Sequence, residues 1–196
     1  MKTKTRFGFS AFLLFLAIAL PAFAYEYPLS SDAIRNAYFL ARRPDRESVR
    51  FLSAYTHKVP EFKVESYTSN VIVETPYVQV AEEVRLRINY HAQDAVAEFF
   101  DKPKNFRIHM DIYFLRGISD SVTVNLMQNG KEISPRAVER SSLYPASDEY
   151  YTPGTIGEHL EIECNPERID SSVLTIKIGL PDGRKAQTKF DMADLR

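Results

Sequence analysis

Residues 70–92 read NVIVETPYVQVAEEVRLRINYHA, and the architecture of the chain turns on how they fold. Val71-Ile72-Val73 is a compact β-branched run with the composition of a strand. Thr75-Pro76 follows as a helix start: Thr caps the first amides, and Pro takes the first helical position, where no donor is needed. From Tyr77 two templates compete. A helical one puts Tyr77, Val80, Ala81, Val84, Ile88 and His91 on one face, with Glu83 and Arg87 as a favourable i,i+4 pair. A strand template alternates without a break from Val84 to Tyr90, with Leu86 and Ile88 inward and Arg85, Arg87 and Asn89 outward. The helix has the better start signal, and Gln79 to Glu83 is poor strand material. The expectation is a short strand at 71–75, then a helix whose Tyr77–Val84–Ile88 face covers a sheet.

Toward the N-terminus the pattern is helical. Ser30-Ser31-Asp32 caps a first helix with Ile34, Ala37, Tyr38 and Ala41 on one face. Pro44 breaks it, and Asp45-Arg46-Glu47 opens a second with Val49, Leu52 and Tyr55 inward. Arg35, Arg42, Arg43, Arg46 and Arg50 interleave with Asp32, Asp45 and Glu47, which reads as a solvated helix surface. Residues 61–67 alternate weakly, as a further strand would. Asp94 caps a turn carrying Val96, Phe99 and Phe100.

Toward the C-terminus the period switches to two. Phe106, Ile108, Met110, Ile112 and Phe114 alternate with polar neighbours. Val122, Val124 and Leu126 form the next strand, closed by Asn129-Gly130, a dipeptide suited to a tight type I′ hairpin. Residues 131–138 return beside it, with Pro135 confining them to an edge. Glu158 to Cys164, Val173 to Leu180 and Arg184 to Asp191 complete six strands. The expectation is an α+β fold: N-terminal helices packed against a C-terminal antiparallel β-sandwich, Ig-like or similar. The divisions are a signal peptide at 1–24, a mainly helical part at 25–102 and the sandwich at 103–196.

The first 24 residues carry the three parts of an export signal. Lys2, Lys4 and Arg6 precede ten apolar residues, Ala11 to Leu20, and Pro21-Ala22-Phe23-Ala24 ends in a small-x-small pattern. Ten is about half the roughly 20 residues of a membrane-spanning helix, so cleavage after Ala24 is expected over an uncleaved anchor. No transmembrane anchor would remain. Without the leader the chain has 172 residues, 22 basic and 26 acidic side chains, and a formal charge of −4. Mixed signs and a mildly acidic balance give no footprint for nucleic acid. Cys164 is the one cysteine, so no internal disulfide forms. It shares a strand face with Leu160 and Ile162, which reads as a small buried hydrophobe.

Catalytic motifs are missing. The chain has no G-x-S-x-G elbow, H-E-x-x-H helix, Gly-rich phosphate loop or C-x-x-C pair, and its seven glycines leave little for a nucleotide cradle. No cofactor is expected. Two sets of residues carry chemistry. His109 and Asp111 share the outward face of one strand, and His159, Glu161 and Glu163 that of another. If those strands are neighbours, two imidazoles and a carboxylate meet at distances a Zn²⁺-type ion accepts. The plainer reading is a charged, solvent-facing strand pair. The second set is Tyr144, Tyr150 and Tyr151 in the aperiodic segment 140–157, where they either form a binding loop or pin the loop to the sandwich edge. These features favour an exported, extracytoplasmic binding or scaffolding module, its partner another envelope or extracellular protein. An envelope hydrolase, metal-assisted and using outward strand residues, is the alternative.

Overall fold

The computed structural model describes residues 25–43, 45–59, 69–102, 104–113, 122–143, 157–180 and 183–196. The protein has an α+β fold with the helices in the N-terminal part and two antiparallel sheets. Helices α1 (Ser31–Ala41) and α2 (Asp45–Ser53) lead into strands β1 (Thr56–Lys58) and β2 (Ser69–Glu74). Helices α3 (Pro76–Arg85) and α4 (Ala92–Phe99) follow, and then the strands β3 (Phe106–Tyr113), β4 (Thr123–Gln128), β5 (Lys131–Ile133), β6 (Ala137–Leu143), β7 (Gly157–Cys164), β8 (Val173–Gly179) and β9 (Lys185–Asp191). One sheet has the order β1-β2-β3-β7-β6 and the other β5-β4-β8-β9. The five-stranded sheet thus draws β1 and β2 from the part of the sequence that reads as mainly helical.

Strict alternation builds the sandwich. On β3, Phe106, Ile108, Met110 and Ile112 are buried, and each stands opposite a residue of the same face on β7: Cys164, Ile162, Leu160 and Glu158. Val71 and Val73 of β2 extend that layer. Leu126, Ile133, Leu174, Ile176, Ile178 and Phe190 supply the facing layer from the other sheet, and the two join in one apolar cluster. Cys164 lies within it, and burial pushes its thiol up to about 12, as expected of a cysteine that packs rather than reacts.

The segment from β5 to β6 departs from expectation. Lys131–Ile133 returns beside β4 through Asn129 and Gly130, both at positive φ (52° and 73°), as a type I′ turn requires. The chain then leaves that sheet at Ser134–Pro135, and β6 pairs with β7 in the other sheet. Pro135 has no amide to donate, so the ladder ends there. Arg140, Ser141, Ser142 and Leu143, expected in a loop, belong to this edge strand, and Gly157, expected at the loop's end, begins β7.

Local capping signals are fulfilled at α1 and α3, whereas α4 begins three residues before the expected Asp94 cap, with His91 as its N-cap. Ser30 caps α1 through Ala33 N, and the Thr75 hydroxyl caps α3 through Val78 N, with Pro76 at the first position. α1, α3 and α4 enclose a second cluster of Ala33, Ile34, Ala37, Tyr77, Val80, Ala81, Val84, Ala95 and Phe99. Val78, on another side of α3, belongs to the sandwich core, and Phe51 packs against both clusters.

Both templates for residues 84–90 fail beyond Arg85. The helix stops with Leu86 as its C-cap, and Asn89 turns at φ 58°, in the left-handed region. Tertiary bonds hold the turn: Arg42 donates to the Arg87 carbonyl, and Tyr38 to the Tyr90 carbonyl. Arg87 pairs in bidentate fashion with Glu98 of α4, which also accepts from Tyr90. Those bonds hold the Glu98 carboxyl down at about 2. Ile88 is consequently 88 % exposed, not part of a covering face. His91 is not on α3 at all; it is the N-cap of α4, where its amide donates to Asp94. In α2, Val49 is exposed, and Ser48 with half-buried Phe51 and Leu52 faces inward.

These placements separate two isoleucines that the sequence treats alike. In urea denaturation, Ile108→Ala should lower stability by about 2–5 kcal/mol, the range for a fully buried aliphatic. Ile88→Ala should stay within about 0.5 kcal/mol; a loss of core size there would contradict the turn.

Candidate metal centre

The outer face of the five-stranded sheet is built by the same alternation as the core. Residues of opposite parity to Ile108 and Ile162 point away from the sandwich, so Arg107, His109 and Asp111 of β3 stand opposite Glu163, Glu161 and His159 of β7. Directly opposed side chains in an antiparallel pair have Cβ atoms about 5 Å apart. The neighbouring-strand condition is therefore met, and all four predicted ligand candidates lie together. His109, His159 and Glu161 each present a donor atom, and these atoms lie within 4.8 Å of one another. The two rings are 6.1 Å apart and tilted by 30°.

Asp111 is placed differently from a ligand. Its Oδ1 lies 2.7 Å from Nδ1 of His159. A carboxylate that accepts the Nδ1 proton fixes the tautomer and leaves the Nε2 lone pair free for a metal, the arrangement common around ligating histidines. A tetrahedral zinc with bonds near 2.0–2.1 Å needs donor atoms about 3.3 Å apart. A spread of up to 4.8 Å is thus one that modest side-chain rotation can close. Glu161 has the freedom for this. Arg107 lies 3.7 Å from Glu161 but only 3.2 Å from Glu163, so Glu163 can hold the guanidinium when Glu161 turns away.

Two acidic residues that sequence reading did not select complete the surroundings. Glu74, at the end of β2, brings Oε2 to 3.2 Å from Nε2 of His109. The contact is close but poorly aligned, and that buried nitrogen keeps no hydrogen bond of good geometry. Glu82, on α3, is coupled to Glu74 and His109 through their charges. Burial raises its carboxyl above the usual range, the Glu74 charge raises it further, and Arg85 and His109 oppose the shift. Parity is the signal that could have found Glu74: it is out of phase with Val71 and Val73, so it must leave the core on the side of His109. Nothing comparable marks Glu82. The tyrosines Tyr144, Tyr150 and Tyr151 lie outside the described residues.

Neither a protein-family model, nor a characterised protein, nor a solved structure matches the chain.

The Glu74 contact is what raises the His109 imidazole above its ordinary value; burial lowers it, while Glu161 assists and Arg107 opposes. A histidine raised on folding contributes stability that is complete below its unfolded value and is lost as pH rises through the folded one. Glu74→Gln should therefore lower the His109 value in a ring-proton NMR titration without metal. It should also remove a stability increment seen at pH 5.5 and absent at pH 8.5 (both about). An unchanged titration would show that Glu74 does not act on His109.

Proposed function

We propose that this protein is an exported, extracytoplasmic binding module that captures a divalent transition-metal ion on the outer face of its five-stranded sheet. One observation carries the reading: His109, His159 and Glu161 converge from two paired strands, and Asp111 already orients one of the imidazoles. The donor set defines the class of ion. Two imidazoles with one carboxylate suit Zn²⁺, Cu²⁺, Ni²⁺ or Co²⁺, whereas Mg²⁺ and Ca²⁺ take all-oxygen shells. Three protein ligands leave a coordination position open, unlike the closed four-ligand sites that serve only structure. Capture and release fit such a site better than a permanent clamp.

Export rests on the leader in residues 2–24. Tyr25, the first residue expected after cleavage, is buried against Phe106, and its hydroxyl donates to the Pro166 carbonyl. Among the described residues no helix is long and apolar enough to cross a membrane.

Calorimetric titration of the purified protein should show one equivalent of zinc per chain. Zinc at about 100 times its dissociation constant would add roughly 2.7 kcal/mol, which raises Tm by about 5–10 °C for a chain of this size. His159→Ala should abolish binding, and Asp111→Asn should weaken it roughly 10- to 100-fold. Substoichiometric uptake that persists in His109→Ala would sink the proposal.

A further inference from the structure

One outward row of the five-stranded sheet crosses four strands. Asn70 of β2, Asp111 of β3, His159 of β7 and Ser141 of β6 stand side by side in register. Oδ1 of Asp111 lies 2.7 Å from Nδ1 of His159. With its proton on Nδ1, a neutral imidazole keeps an acceptor lone pair on Nε2. Ser141 flanks His159 on the side opposite Asp111, and directly opposed residues have Cβ atoms about 5 Å apart. The Ser141 side chain is exposed, and its hydroxyl makes no hydrogen bond among the described residues. It is therefore free to rotate toward His159. A nucleophile, a base beside it and a third group that orients the base are the parts of a triad, recognised by geometry and role rather than by sequence order. The contact between nucleophile and base is commonly loose until substrate binds.

The neighbouring rows narrow the substrate. On one side runs Tyr113–Gly157–Leu143. Tyr113 is exposed, and Leu143 Cδ1 lies over Gly157, where a Cβ would come within 3.1 Å of it. An apolar shelf one row deep, about 7 Å along the strands, thus adjoins the serine, enough for an acyl group of a few carbons. On the other side runs His109–Glu161–Glu139, whose two carboxylates repel an anionic substrate. β6 is also the edge strand of its sheet. Consecutive amides on a strand point to opposite sides, so one of Ser141 and Ser142 turns its N–H away from β7, where it can donate to an oxyanion.

We infer that Ser141, His159 and Asp111 form a Ser-His-Asp triad that hydrolyses uncharged esters of short acyl groups. Ser141 Oγ attacks the ester carbonyl carbon while His159 Nε2 takes the hydroxyl proton. The C–O bond to the alcohol breaks, that proton passes to the leaving oxygen, and the acyl group stays on Ser141. Water then attacks the acyl carbon, gives one proton to Nε2 and releases the acid, and the proton returns to the serine oxygen. Asp111 positions the imidazole and holds its Nδ1 proton throughout. The metal centre draws on the same nitrogen, since an ion on Nε2 of His159 occupies the lone pair that the serine needs. Hydrolysis therefore belongs to the metal-free protein and stops on capture of the ion; this coupling, unlike the triad itself, rests on the metal-binding reading.

Labelling of the full mature protein with a fluorophosphonate, chelator present, followed by mass spectrometry of its peptides, tests the triad. The label should sit on Ser141, and hydrolysis of p-nitrophenyl acetate should be lost in the labelled protein. Ser141→Ala and His159→Gln should each lower turnover at least about 100-fold. Asp111→Asn should lower kcat with KM unchanged, a split that a loosened fold does not produce. Ser142→Ala, of opposite parity on the same strand, should keep both label and turnover. No label, a label on another residue, or equal labelling of His159→Gln overturns the inference. One equivalent of bound zinc should stop the labelling, and labelling that persists on the zinc-loaded protein overturns the shared use of His159. A protein that takes up no zinc yet is labelled at Ser141 sinks the metal centre and upholds the triad.

Discussion

The register of β3 against β7 is the constraint on which the rest depends. Because side chains alternate with a period of two, one ladder sets both faces at once. Pairing Ile108 with Ile162 buries an aliphatic layer against the second sheet, and the same register places His109 opposite Glu161 and Asp111 opposite His159. A slip by one residue would expose the core set and bury the charged one, at a cost of several kcal/mol per buried ionic group. The apolar core therefore enforces the geometry of the charged face. Side chains held on two paired strands are also preorganised, as a set carried on loops would not be.

The β2–α3 junction is the second organising element. Thr75 is fully buried, and its hydroxyl accepts from Val78 N and donates to the Arg196 carbonyl. Tyr55 exchanges two further bonds with Arg196. Chain segments far apart in sequence thus close over one helix start. From there α3 directs Val78 into the sandwich core and Tyr77, Val80 and Val84 into the helical cluster, and it half-buries Glu82 where the charges of Glu74 and His109 act on it. Position on this helix, not sequence proximity, gives Glu82 its raised carboxyl.

Much of this was legible in the residues. Caps at Ser30 and Thr75, the Asn129-Gly130 hairpin and the inward sets of β3, β7 and β8 all follow from local rules, because each depends on neighbours a few positions away. The candidate ligands were legible as outward residues on two strands. Their meeting was not, since adjacency of β3 and β7 depends on a sheet order of β1-β2-β3-β7-β6 that no local pattern encodes. Residues 84–90 show the opposite case. Their alternation fits a strand and their spacing fits a helix, yet bonds from Arg42, Tyr38 and Glu98 make them a turn.

By itself, then, the sequence determined the α+β class, the sides of β3, β7 and β8 that face the core, and the starts of α1, α2 and α3, all consequences of periodicity and capping. Tertiary structure decided which strands are neighbours, where α3 ends and which carboxylates meet His109. Those outcomes rest on contacts between residues distant in the chain, whose energies exceed the small local preferences that sequence patterns express.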